Sequence, residues 1–239
     1  INIRFKVGAG FAGANWKGND ARVQELKLYY ADVKDDLKTA LSSDEGDSVQ
    51  FSLFEEGTAM VIFNSVNSFI ELEAPKFNEY LSEDGLSSAI DYRKEHNETD
   101  SMGHEFYQRS VKTIVQVGIK KTDIYKKQPS LPLDIIPLSH PYTISNNQLM
   151  KVKILFKGQP LADAKLRVWN KMPDAVTDTS FLSDANGEIS FPVTTSGEWM
   201  VSSVHMIHLD ADPKATWQSY WGSLTWGYTG KSSTSSRSR

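Results

Sequence analysis

From Lys151 to Tyr228 apolar and polar residues alternate in short runs: KVKILF, AKLRVWN, TDTSFLS, GEISFPV, GEWMVSSVHMIHL and SYWGSLTWGY. Alternation with period two sends successive side chains to opposite faces of a strand. Six or seven such runs at this spacing predict a small β-sandwich. Asp184-Ala185-Asn186-Gly187 reads as the clearest hairpin turn in the chain, because Asn186 and Gly187 tolerate positive φ. Five of the six tryptophans fall between Trp169 and Trp226, so most of them read as core.

The first half carries the same signal less evenly. Ile1, Ile3, Phe5 and Val7 alternate with Asn2, Arg4 and Lys6, so the chain opens inside a strand, which predicts a segment upstream of Ile1. From Val23 a helical stripe competes with a strand, and the alternation of Leu26, Leu28 and Tyr30 favours the strand. VQFSLFEE, TAMVIFNS and SFIELEA then read as a meander of successive strands. Pro75 ends that pattern, and two short helices broken at Gly85 follow, with Ser87 and Ser88 available to cap the second. In FYQRSVKTIVQVG, residues Tyr107, Arg109, Val111, Thr113, Val115 and Val117 share one face of a long strand.

Pro137 and Pro141 bracket an extended connection, which places a boundary near Leu138. The expected architecture is therefore all-β, with two β-sandwich domains. Residues 1–138 form the first, with a helical insertion near 76–95, and residues 139–228 the second, with 229–239 as a flexible tail.

Composition excludes some functions. The chain of 239 residues has no cysteine, which rules out disulfides, thiolate nucleophiles and thiolate metal sites. Its net charge is −4, and cations without acids are grouped only in the terminal KSSTSSRSR, so nucleic acid is not the expected partner. No apolar run reaches the roughly 18 residues of a membrane span.

Gly8, Gly10 and Gly13 spell the spacing of a dinucleotide-binding turn, but Asn15, Gly18, Asn19 and Asp20 interrupt the helix that motif requires. Imidazole is the natural ligand for a divalent metal when thiolates are absent. His205, His104 and His140 are the candidate ligands, whereas His205 and His208 fall on opposite faces of one strand and cannot chelate together without a bulge. Trp217, Trp221 and Trp226 are candidates for an aromatic ligand platform. No nucleophile elbow or calcium loop occurs, so no catalytic residue is assigned.

SFIELEAPKFNEYLSEDGL, EFYQRSVKTIVQVG, GEWMVSSVHMIHL and WQSYWGSLTWGY together resemble a bacterial exported family of unknown function, domain of unknown function 4198. Its members are often labelled periplasmic components of nickel or cobalt transport. The resemblance implies a periplasmic location, a partner in a membrane transport assembly, and nickel or cobalt as ligand, and it transfers no catalytic residue. KGQPLADAKLRVWN, SDANGEISFPV and GEWMV look like prealbumin-like modules, which implies a prealbumin- or Ig-like second domain. The expected function is noncatalytic binding, with metal handling first and interaction with a surface glycan or a protein through exposed aromatics as the alternative.

Overall fold

The computed structural model describes residues 1–42 and 46–228, so the expected tail at 229–239 lies outside the described residues. The first half contains β1 (Asn2–Arg4), β2 (Lys6–Val7), β3 (Ala14–Asn15), β4 (Val23–Tyr30), β5 (Val33–Asp36), β6 (Ser48–Gln50), β7 (Gly57–Ser65) and β8 (Ser68–Leu72). Helices α1 (Ala74–Glu83) and α2 (Ser87–Glu95) precede the long β9 (Gly103–Val117) and β10 (Leu133–Pro137). The rest is β11 (Leu149–Phe156), β12 (Gln159–Pro160), β13 (Lys165–Met172), β14 (Ala175–Leu182), β15 (Glu188–Pro192), β16 (Gly197–His208) and β17 (Trp217–Tyr228). The protein is mostly β, built on a large sheet.

That sheet has nine strands, in the order β14-β13-β16-β17-β9-β7-β4-β5, with β8 also on β9. Its two halves meet where β17 pairs in parallel with β9, from Trp217 opposite Glu105 to Thr225 opposite Thr113. The backbone ladder therefore crosses position 138 without a break. A second sheet of β10, β11, β12 and β15 lies over one face, here called the back. Met60, Ile62 and Ile114 of the first half and Leu166, Val201 and Leu224 of the second join Leu133, Ile135, Val152 and Phe191 of that sheet in one core.

The front face is covered in two separate places. Trp16, Leu37 and Val49 pack on Leu26, Leu28, Val61 and Phe63 at the first-half end. At the other end Phe77, Leu81 and Ala89 of the helices, with Leu86 between them, pack on Val204, Met206 and Trp217. Gly103 makes the α1 packing possible, because a Cβ there would fall 2.4 Å from Phe77 Cγ.

Several expectations change. VQFSLFEE is not one strand, since β6 ends at Gln50 and pairs with β1. β7 and β8 do not form a hairpin; they lie end to end along one edge of β9, on residues 110–117 and 103–107. The Asp184 turn joins no hairpin either. Asp184 Oδ1 accepts the N–H groups of Asn186 and Glu188, and the chain passes there from β14 in the large sheet to β15 in the small one. The α2 N-cap position is Leu86, with no side-chain cap from Ser87 or Ser88. Gly8–Gly13 closes the β2–β3 hairpin, and only a single 3-10 turn at Asp20–Arg22, with no α-helix, lies between it and β4.

Candidate functional site

Between its two coverings the front face stays partly open. The residues that point into this furrow are half-buried: Met200 and Ser202 on β16, Trp221 and Ser223 on β17, Tyr107 and Arg109 on β9. Register sets them side by side, with Trp221 opposite both Val204 and Arg109. The furrow floor thus spans the seam between the two halves.

Trp221 is held at one wall by two devices. Its ring stacks on Tyr80 of α1 at 5.5 Å with planes 12° apart, and its indole N–H donates to Ser219 Oγ at 2.9 Å. Ser219 in turn donates to the Glu105 carboxylate, which Tyr80 also approaches at 3.4 Å. Glu105 is only 2% exposed, and its Oε2 has no hydrogen-bond partner among the described residues. Burial pushes its carboxyl up to about 7, against the pull of Ser219, Tyr80 and Arg109. Asp84, at the end of α1, is pushed up to about 6 by burial, although Arg167 and Lys165 oppose the shift.

Beyond Arg109 the furrow deepens into a cavity of about 110 Å³ lined by Val7, Trp16, Arg22, Ser65, Ser68, Tyr107 and Arg109. The cavity exists because β7 stops and β8 begins there. Across that gap the Arg109 N–H donates to Ser65 Oγ at 2.9 Å, and the Gln108 side chain donates to the Ser65 carbonyl at 2.8 Å. The Arg109 guanidinium lies 4.5 Å from the Tyr107 ring centre, and Arg22 reaches Ser68 Oγ at 3.4 Å. Burial raises the Tyr107 hydroxyl, but Arg109, Ser68 and Arg22 outweigh it and hold the phenol below its ordinary value.

The three candidate metal ligands have separate partners. His104 Nε2 faces Glu71 Oε1 at 3.4 Å across the β8–β9 pair. His140 Nδ1 accepts the Tyr142 N–H at 3.1 Å, which leaves the proton on Nε2 to be donated to Thr58 Oγ1 at 3.1 Å. Both ring nitrogens of His140 are committed. His205 packs on Phe156 at 4.3 Å on the back face, where burial and Lys157 lower its pKa. Among the described residues no group of three or more histidines and carboxylates is placed to hold a metal ion.

Of the three platform candidates, Trp217 and Trp226 are each 3% exposed, within different cores, and Trp221 alone opens onto the furrow. His208 and His96 were not expected to meet. Both rings pack on Tyr92, with centres 4.1 and 3.9 Å from its own. Arg22, Ser65, Ser68, Tyr107 and Arg109 were not read as a site from sequence, because only the break between β7 and β8 brings them together.

A family model described as a domain of unknown function (DUF4198) matches residues 1–207. The chain belongs to this family. The match runs from β1 through nearly all of β16, and so covers the recess and all of the furrow except its β17 strand. Neither curated proteins nor solved structures match the chain. Like the sequence runs, the helices carry no membrane signal: none among the described residues is long and apolar enough to cross a bilayer.

Proposed function

We propose that this DUF4198 protein is a noncatalytic, exported binding protein that holds a saccharide in the front furrow. Trp221 carries the reading. An aromatic ring that is half-buried, fixed by stacking on Tyr80 and by its N–H bond to Ser219, presents a flat apolar face at low entropic cost. Sugar rings carry C–H faces suited to such a surface, and Ser202, Ser223 and Arg109 supply hydroxyls and a cation beside it. The packing of the small sheet on the back face supports a sandwich-type scaffold that keeps this surface rigid.

The alternative of nickel or cobalt handling has less behind it. His104, His140 and His205 would each need to leave its present partner, and the three sit on β9, on the β10–β11 connection and on β16. Binding to a glycan array, repeated with Trp221→Ala, tests the saccharide reading. Retention of glycans by the native protein and at least about tenfold weaker retention by the variant is the expected result, since truncating a well-packed aromatic anchor costs about 2 kcal/mol or more. No retention by the native protein overturns it.

A further inference from the structure

The cavity beyond Arg109 has a composition that the furrow alone does not explain. None of its seven lining residues is acidic, and two are arginines. Among the described residues neither Arg22 nor Arg109 forms an ion pair with a carboxylate, although the chain carries 30 acidic residues against 26 basic ones. Guanidinium groups brought together at a surface ordinarily recruit a carboxylate, because its charge and its two oxygens match their fork of N–H donors. Here the polar groups around them are hydroxyls: Ser65, Ser68 and Tyr107.

Ser68 and Tyr107 stand between the two cations. Ser68 Oγ takes a bond from Arg22, while the Tyr107 ring lies beneath the Arg109 guanidinium, and β8 sets Ser68 directly opposite Tyr107. The low proton affinity of the Tyr107 hydroxyl reports the same positive potential. At about 110 Å³ the cavity is well below the roughly 300 Å³ at which whole-ligand pockets begin, so it holds one group of a ligand and not the body. The body has a place to go, because Arg109 and Trp221 are neighbours across β9 and β17.

The geometry points to an acidic saccharide as the ligand, with its carboxylate between Arg22 and Arg109 and its sugar ring against Trp221. This rests on the saccharide reading above and adds to it the charge of the ligand and the residues that select it. The Glu105 carboxyl, whose charge acts on Arg109, is buried under α1 and bonded by Ser219 and Tyr80, and it does not line the cavity.

Calorimetric titration with trigalacturonate, with its fully methyl-esterified form and with acetate separates the possibilities. The ester keeps the sugar rings and removes the charge. The expected result is that trigalacturonate binds at least tenfold more tightly than the ester or acetate, and that Arg109→Gln and Arg22→Gln each remove that preference while the circular dichroism of the folded protein is unchanged. Trp221→Ala weakens acid and ester together. Equal binding of acid and ester overturns the acidic specificity and leaves the saccharide reading standing. Acetate binding as tightly as trigalacturonate retains an anion site and overturns the saccharide in both proposals. Absence of binding by all three overturns both.

Discussion

Lys112 of β9 and Asp134 of β10 form an ion pair between the two sheets, with side chains 1% and 4% exposed. Lys112 sits at the seam, between Ile62 of β7 and Leu224 of β17, and its Nζ also lies 3.5 Å from the Ile135 carbonyl. A charge pair at this depth recovers little net energy over an apolar pair, but each partner is costly to leave alone. Lys112→Met is expected to destabilise the protein by about 3–5 kcal/mol, and Lys112→Met with Asp134→Leu by much less. Urea unfolding of the two variants checks this; equal losses would show that the charge of Asp134 is not the source.

The Glu105 carboxyl gives stability a defined dependence on pH. Its ordinary value is 4.5 and burial raises it to about 7, so between those values the folded protein keeps a proton that the unfolded chain releases. The stabilisation is therefore present at low pH and is lost as pH rises through that window, by about 3 kcal/mol at most. Asp84, raised from 3.8 to about 6, acts in the same direction. The groups around Glu105 are Tyr80, Ser219, Arg109 and Asp84, and Glu105→Gln keeps an acceptor for Ser219 without the charge. Melting temperature measured from pH 5 to pH 8 is expected to fall more steeply in the native protein than in this variant.

Gly103→Ala forces a methyl group against the Phe77 ring, which is fully buried. Overpacking of this kind costs about 1–3 kcal/mol. Pairing it with Phe77→Leu makes room, so the double variant is expected to be more stable than the sum of the single losses. A thermal or denaturant double-mutant cycle measures the coupling.

His140 and His104 are expected to differ sharply. Removing His140 leaves the fully buried Thr58 hydroxyl without one donor and the Tyr142 N–H without an acceptor, at a cost of about 1–3 kcal/mol for His140→Ala. His104 is half-exposed beside an exposed Glu71, and His104→Ala is expected to change stability by less than about 1 kcal/mol. Chemical denaturation of both variants provides the comparison.

Strand identity was legible wherever one face is buried and the other wet. The alternation of Leu26, Leu28 and Tyr30 placed β4, and the stop at Pro75 with the break at Gly85 placed both helices. Pairing was not legible, because alternation reports which face a residue takes and is silent on its neighbours across the ladder. β9 shows the limit: Tyr107 and Arg109 were placed on one face, yet their pairing with Ser219 and Trp221 depends on a strand more than a hundred residues away. The recess was hidden for a related reason. TAMVIFNS and SFIELEA read as successive strands of a meander, whereas β9 is long enough to accept β7 and β8 one after the other, and the gap between them became the cavity.

The parallel pairing of β17 with β9 sets the width of the furrow by the spacing of hydrogen-bonded strands, roughly 4.8 Å per step, instead of by a hinge. Arg109 and Trp221 stand on adjoining strands of one ladder, so the distance between their backbones is fixed by the sheet. A saccharide held as proposed would therefore leave by breaking its contacts, with no movement of the two strands required.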